Sequence, residues 1–301
     1  MNQTHSKYYN CNANEAMKQY KFKYRLWYVI EIILTLLIII WMIWSLGDFI
    51  VTRGMANING DNISSADNGY LLLKLIGVVC LILIILFTRA ILYRIETSQL
   101  KNVLWNDCDP YKMYEILVLW ESFVKRGDVR NNILLLKAQC CRYIPKYQEE
   151  GLATLQELDF EMKLIDREAS RLLQFAYYSK INGDHESFLK VKTDMEHLPE
   201  VYSCKSKFRR EGYERALQNL NLQEALWDGK RQEARKLLEA LLEQENCRLN
   251  KVMLQMELAR LDLATEEFEN AKQHLEYVIT YGNKLPVVSE AKEQIAAFHL
   301  Y

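Results

Sequence analysis

Residues 27–46 read WYVIEIILTLLIIIWMIWSL and residues 70–88 read YLLLKLIGVVCLILIILFT, two apolar blocks that carry one charge apiece, Glu31 and Lys74. At about 1.5 Å per residue either block spans roughly 30 Å as a helix, the thickness of a bilayer's hydrocarbon core. In that core every backbone N–H and C=O needs a partner within its own segment, so the blocks are expected to form a transmembrane helical hairpin. The first is too long for the apolar part of a cleaved signal peptide, and no small-x-small cleavage site precedes the polar stretch that follows. Nothing after Tyr93 is apolar enough to add a third span.

Lys and Arg residues set the expected orientation. Five precede Trp27 (Lys7, Lys18, Lys21, Lys23 and Arg25), one lies in the connector (Arg53), and Arg89, Arg94 and Lys101 follow the second block. Positive flanks stay on the cytoplasmic side, so both termini are expected to be cytoplasmic, in a bacterial plasma membrane, with the connector outside. Trp27, Tyr28, Trp41, Trp44 and Tyr70 sit near the headgroup levels, where an amphipathic ring keeps one end wet. The expected segments are a cytoplasmic stretch 1–26, helices over 27–46 and 70–93, a polar loop over 47–69, and a cytoplasmic domain over 95–301.

Glu31 and Lys74 each lie about one turn from opposite ends of their helices, roughly 18 Å apart along the membrane normal, and cannot pair with each other. Snorkelling to the headgroups is the expected fate of both. Gly77 and Cys80 offer a small-residue stripe against which Thr35 or Ile38 could pack. The connector is rich in Gly, Asn, Asp and Ser, and its Asn62-Ile63-Ser64 fits the glycosylation pattern. None of the seven cysteines falls in it, and Cys11, Cys108, Cys140, Cys141, Cys204 and Cys247 are expected to be reduced cytoplasmic residues, most of them in the core.

Beyond Ile95 the chain is rich in Leu, Glu, Lys, Gln and Ala, with apolar residues recurring at three and four and no sustained alternation of period two. An all-α fold is expected. Breaks at Asp109-Pro110, Pro145-Lys146-Tyr147, Asn182-Gly183-Asp184, Asp228-Gly229-Lys230 and Thr265-Glu266-Glu267 put Tyr114, Gly151, Phe188, Ala234 and Ala271 in register, at steps of 37, 37, 46 and 37 residues. A repeat of that length indicates stacked helix pairs, because one pair cannot bury its apolar face alone. The expected pairs are Val129 to Leu158, Glu161 to His197, Ser206 to Glu243 and Cys247 to Tyr281, with Pro110 to Lys125 opening the stack and Leu285 to Leu300 closing it.

The clearest unit, KVMLQMELARLDLATEEFENAKQHLEYVITYGN at 251–283, resembles a tetratricopeptide repeat. Leu258-Ala259-x2-Asp262 loosely matches the family's L-G-x2-Y, Phe268 takes the aromatic place early in the second helix, and Ala271-x3-Leu275 matches A-x3-F. Ala234-x3-Leu238 repeats the last pattern after Gly229-Lys230, while Phe188 and Gly151 stand where the family has a small residue. Phe188 there implies wider packing or a shifted register. The resemblance implies an α-solenoid whose concave face, lined by the first helix of each pair, binds a protein or peptide. Carrying the family's concave positions onto this chain selects Tyr177, Lys180, Asn219, Gln223, Trp227, Met256 and Arg260. Trp227, at a helix end beside Asp228-Gly229, could either plug the space between helices or anchor a ligand.

No catalytic constellation is readable. His5, His185, His197, His274 and His299 have no metal-protease spacing, and the glycines form neither a dinucleotide fingerprint nor a phosphate loop. No cofactor, metal or small-molecule substrate is expected. Residues 96–301 carry 29 basic against 34 acidic side chains, which disfavours nucleic acid, and the Lys21–Arg25 run lies against the first span, where anionic lipid is its natural contact. The expectation is therefore a membrane-anchored adaptor or scaffold with a protein or peptide partner. Its alternative is an accessory subunit of a transport or secretion complex, recognised through the hairpin.

Overall fold

The computed structural model describes residues 5–59, 65–124, 127–158, 164–202 and 206–298, and among these it is all-α. Asn62-Ile63-Ser64, Cys204 and His299 lie outside the described residues. The chain divides into two compact units, Lys18–Leu100 and Met1–Met17 with Lys101–Tyr301.

The first of these is built from α1 (Ala13–Asn59) and α2 (Ser65–Trp105), which contain two stretches, Ala13–Gly47 and Ile76–Trp105, long and apolar enough to cross a membrane. Leu36, Ile40, Ile43 and Trp44 on α1 and Leu83, Ile84 and Phe87 on α2 are exposed, the surface a hairpin in lipid presents. Glu31, Thr35, Ile38, Met42 and Ser45 form the covered seam of α1, alternating steps of four and three as in a coiled coil.

Three expectations for the hairpin need correction. Glu31 is paired rather than snorkelling: its carboxylate lies 2.9 Å from Arg89 of α2, so each charge has a partner of opposite sign. Gly77 has open space around it and Cys80 is exposed, so no close helix crossing is built on them. The polar connector is helical over 47–59 and again from Ser65, because an established helix extends at the cost of one residue's ordering per bond gained. Toward the basal end, Lys23 pairs with Glu96 at 3.0 Å and Tyr20 meets Thr97 at 3.4 Å.

The second unit carries α3 (Pro110–Glu121), α4 (Asp128–Arg142), a 3-10 turn at Pro145–Tyr147, α5 (Gln148–Gln156), α6 (Ile165–Ile181), α7 (His185–Val201), α8 (Lys207–Trp227), α9 (Arg231–Gln244), α10 (Arg248–Ala264), α11 (Phe268–Tyr281) and α12 (Val287–Ala297). Local chemistry sets the boundaries. Asp109 caps α3 by accepting from the Lys112 amide at 3.0 Å, with Pro110 as first helical residue, and Asp184 caps α7 in the same way through Ser187. Gly183 and Gly229 stop α6 and α8 with φ of +70°, a left-handed step that glycine takes without strain.

Successive helices pack as antiparallel pairs, α4 with α5, α6 with α7, α8 with α9 and α10 with α11, while α4 also touches α6, α6 touches α8 and α10 touches α12. Of the five residues in register, Gly151, Phe188, Ala234 and Ala271 are buried in second helices of these pairs, while Tyr114 is half-buried on α3. At Gly151 the approach is closest: a Cβ there would lie 1.9 Å from the Tyr178 hydroxyl and 2.6 Å from Cys141 Cβ. That hydroxyl donates to the Ala138 carbonyl at 2.7 Å, fixing α6 against α4. Phe188 is instead buried in the core shared by α6, α7 and α8, its ring tilted against Trp227 with centroids 5.3 Å apart.

The array also closes on its own beginning. Asn283, between α11 and α12, donates to the Asp107 carbonyl at 2.6 Å, and Lys284 pairs with Asp109 at 2.7 Å. The N-terminal segment fastens to the same turn, with the Ser6 amide donating to Asp107 at 2.8 Å and Lys112 donating to the Tyr9 carbonyl at 3.0 Å.

Candidate functional site

Where α4 meets α6, α6 meets α8 and α10 meets α12, their free faces line a common hollow. It is a cavity of about 440 Å³, walled by the end of α4, by α6 and α8, and by α10 and the start of α12. That volume suits a small ligand or one or two side chains of a bound segment.

Of the seven residues projected onto the concave face, Tyr177, Lys180, Asn219, Gln223 and Arg260 line this cavity. Met256 does not. It is fully buried, since the helical phase of α10 turns Met253, Glu257 and Arg260 toward the hollow and Met256 into the core. Trp227 is also elsewhere, half-buried beside His185 and Phe188 at 4.9 and 5.3 Å and packed against the core between α6, α7 and α8. Arg142, Tyr143, Glu245 and Glu257 line the cavity as well and were missed. Arg142 is the last residue of α4, and nothing in its sequence neighbours indicates which helix its side chain meets.

The charges of the cavity are arranged unevenly. On α10, Arg260 lies 2.6 Å from Glu257 and 2.7 Å from Glu290 of α12, so both acids are engaged. Glu245 spends its oxygens on the Asn246 and Cys247 amides and on Asn250, at 2.8 to 2.9 Å. The opposite situation holds on α4 and α6. The Arg142 guanidinium lies 3.8 Å from the centre of the Tyr177 ring and donates to Gln174 at 3.3 Å and to the Tyr143 hydroxyl, and all three of these groups are neutral. Burial pushes the Tyr143 phenol up to about 12 despite the nearby Arg142, and raises Tyr177 too, so neither is a phenolate at neutral pH.

Lys180 donates to Gln223 at 2.7 Å, and its burial holds the ammonium below the usual lysine range. Among the described residues no carboxylate pairs with Arg142 or Lys180 within 4 Å. Leu222, Leu241, Met253 and Leu254 add an apolar floor. Cys140, Cys141 and Cys108 are buried thiols, their ionisation pushed up by burial, to about 12 for Cys141 and Cys108, so they act as core residues and not as nucleophiles. The arrangement offers an aromatic wall, two cations without a carboxylate partner among the described residues, and an apolar surface.

Comparison with protein families, with curated proteins and with solved structures finds no match to this chain.

Proposed function

We propose that this chain is a membrane-anchored docking protein: the two-helix hairpin holds a tetratricopeptide-like helical array at the bilayer, and the cavity on the array's inner face receives a segment of a protein partner. The observation that carries the reading is the cavity itself, lined by residues of α4, α6, α8, α10 and the start of α12 and furnished with side chains suited to recognition. Two features support the anchoring. The exposed apolar faces of α1 and α2 require lipid or protein cover. The segments before and after the hairpin, Met1–Met17 and Lys101–Tyr301, belong to one compact unit, which supports both flanks lying on one side of the membrane. The Lys and Arg residues beside the spans, Lys18, Lys21, Lys23 and Arg25 before the first and Arg89, Arg94 and Lys101 after the second, against Arg53 alone in the connector, support that side being the cytoplasmic one, and a bacterial plasma membrane is the proposed setting.

The test is affinity capture with the full-length protein from its native membrane, comparing wild type with Asn219→Trp. Asn219 is part-exposed on the cavity wall, so the indole fills the hollow without entering the core. The adaptor reading expects the captured partner to fall by at least about tenfold, as when a binding hot spot is blocked. Undiminished capture would transfer recognition to the hairpin and support the accessory-subunit alternative.

A further inference from the structure

Resting on that reading, we infer that the cavity selects a partner segment by an acidic side chain, seated against Arg142 and Lys180, with an apolar neighbour on the floor formed by Leu222, Met253 and Leu254. The argument is an accounting of charge. Three cations line the hollow, Arg142, Lys180 and Arg260, together with two acids, Glu245 and Glu257. Glu257 and Glu290 are bonded to Arg260, and Glu245 is committed to the turn before α10. Glu257 is also the acid whose field reaches Lys180, and it is already bonded at 2.6 Å. What remains is Arg142, whose acceptors are an amide and a phenol, and Lys180, whose acceptor is an amide.

A partly buried guanidinium held over the Tyr177 ring at 3.8 Å and near the Tyr143 ring at 4.5 Å loses little freedom on binding, so it is preorganised for an anion. Tyr177 and Lys180 are three residues apart on α6 and therefore share one face, which sets the lysine beside the ring that carries Arg142. A carboxylate entering here replaces neutral acceptors with a charged one, in a hollow where partial exclusion of water strengthens the attraction. A basic segment would meet two uncompensated cations, and a neutral one would leave them as they are.

The experiment uses full-length protein in nanodiscs and an array of twelve-residue peptides. Each peptide carries one Glu between Leu residues and is matched by a twin with Gln in its place. Expected is a preference for the Glu member by about tenfold or more, the scale of a charge-assisted hydrogen bond. The preference should vanish in Arg142→Gln and survive in part in Arg142→Lys, with unchanged helical circular dichroism and melting temperature in both variants. Binding of either twin should be lost in Asn219→Trp.

Equal binding of Glu and Gln twins overturns the acid assignment, and if Asn219→Trp still abolishes that binding the docking reading stands without it. A Glu preference that persists in Arg142→Gln overturns the assignment to Arg142. Binding to no member of the array overturns the acid assignment outright, and the capture experiment with Asn219→Trp then decides the docking reading separately.

Discussion

Arg260 and Arg142 border the same cavity and have opposite circumstances. Arg260 bridges Glu257 and Glu290, tying α10 to α12, so its charge is consumed by the fold. Arg142 lies on Tyr177 with neutral acceptors only, so its charge is available. An arginine near a packed helix boundary can thus be a fastening or an offer. What separates the two is whether a carboxylate of the chain reaches it.

The comparison breaks most severely if α4 is displaced. Gly151→Leu would drive a side chain into Tyr178 and Cys141, removing the hydroxyl's bond to Ala138 and moving the end of α4 that carries Arg142. Overpacking of this kind costs about 3 kcal/mol, and the thermal transition of the helical array, followed by circular dichroism, should drop accordingly. If the transition is unchanged, the crossing at Gly151 is looser than described.

The next largest effect concerns the arginines themselves. Arg260→Met leaves two acids facing each other and should lower stability by about 1 kcal/mol, a figure reduced because the guanidinium is more than a third exposed. Arg142→Met removes a charge that has no counterion, and should leave stability within about 0.5 kcal/mol of wild type or raise it, lost ring stacking offsetting relieved desolvation. Equal losses in the two melts would show that Arg142 is as structural as Arg260.

The smallest effect is one of pH. Burial alone would raise the Glu150 carboxyl, but hydrogen bonds from Lys137 at 2.9 Å and from Tyr114 hold it below its usual range. A depressed folded value means that the unfolded chain binds the proton more tightly, so the contribution is present above the unfolded value near 4.5 and is lost as the pH falls below it. Glu150→Gln should flatten the decline in melting temperature between about pH 5 and 3. An unaltered decline would assign that sensitivity to other carboxylates.

Some of this was legible before any coordinates. The lengths of the two apolar blocks, the Asp-Pro and Asn-Gly-Asp punctuation and the three-four spacing of Leu and Ala depend on neighbours along the chain, and they read as helices and stops. That Tyr177 and Lys180 of α6 share a face, as Asn219 and Gln223 of α8 do, was also legible, since positions three or four apart lie together on a helix, and these four line the cavity. On α10 the reading selects Arg260, which lines the cavity, together with Met256, which is buried while Met253 and Glu257 line it. Trp227 was ambiguous because its surroundings depend on Phe188, 39 positions earlier in the chain.

By itself the sequence determined that the chain is helical, that two of its segments are long and apolar enough for a bilayer, and where most of its helices stop, because local bonding and hydrophobic period are properties of consecutive residues. Only the tertiary structure decided that Glu31 meets Arg89. It alone decided that the last turn of the array returns to Asp107 and Asp109. The assignment of every nearby acid to a partner other than Arg142 was likewise beyond the sequence, because the balance of charge at a site depends on distances between residues that the chain order leaves far apart.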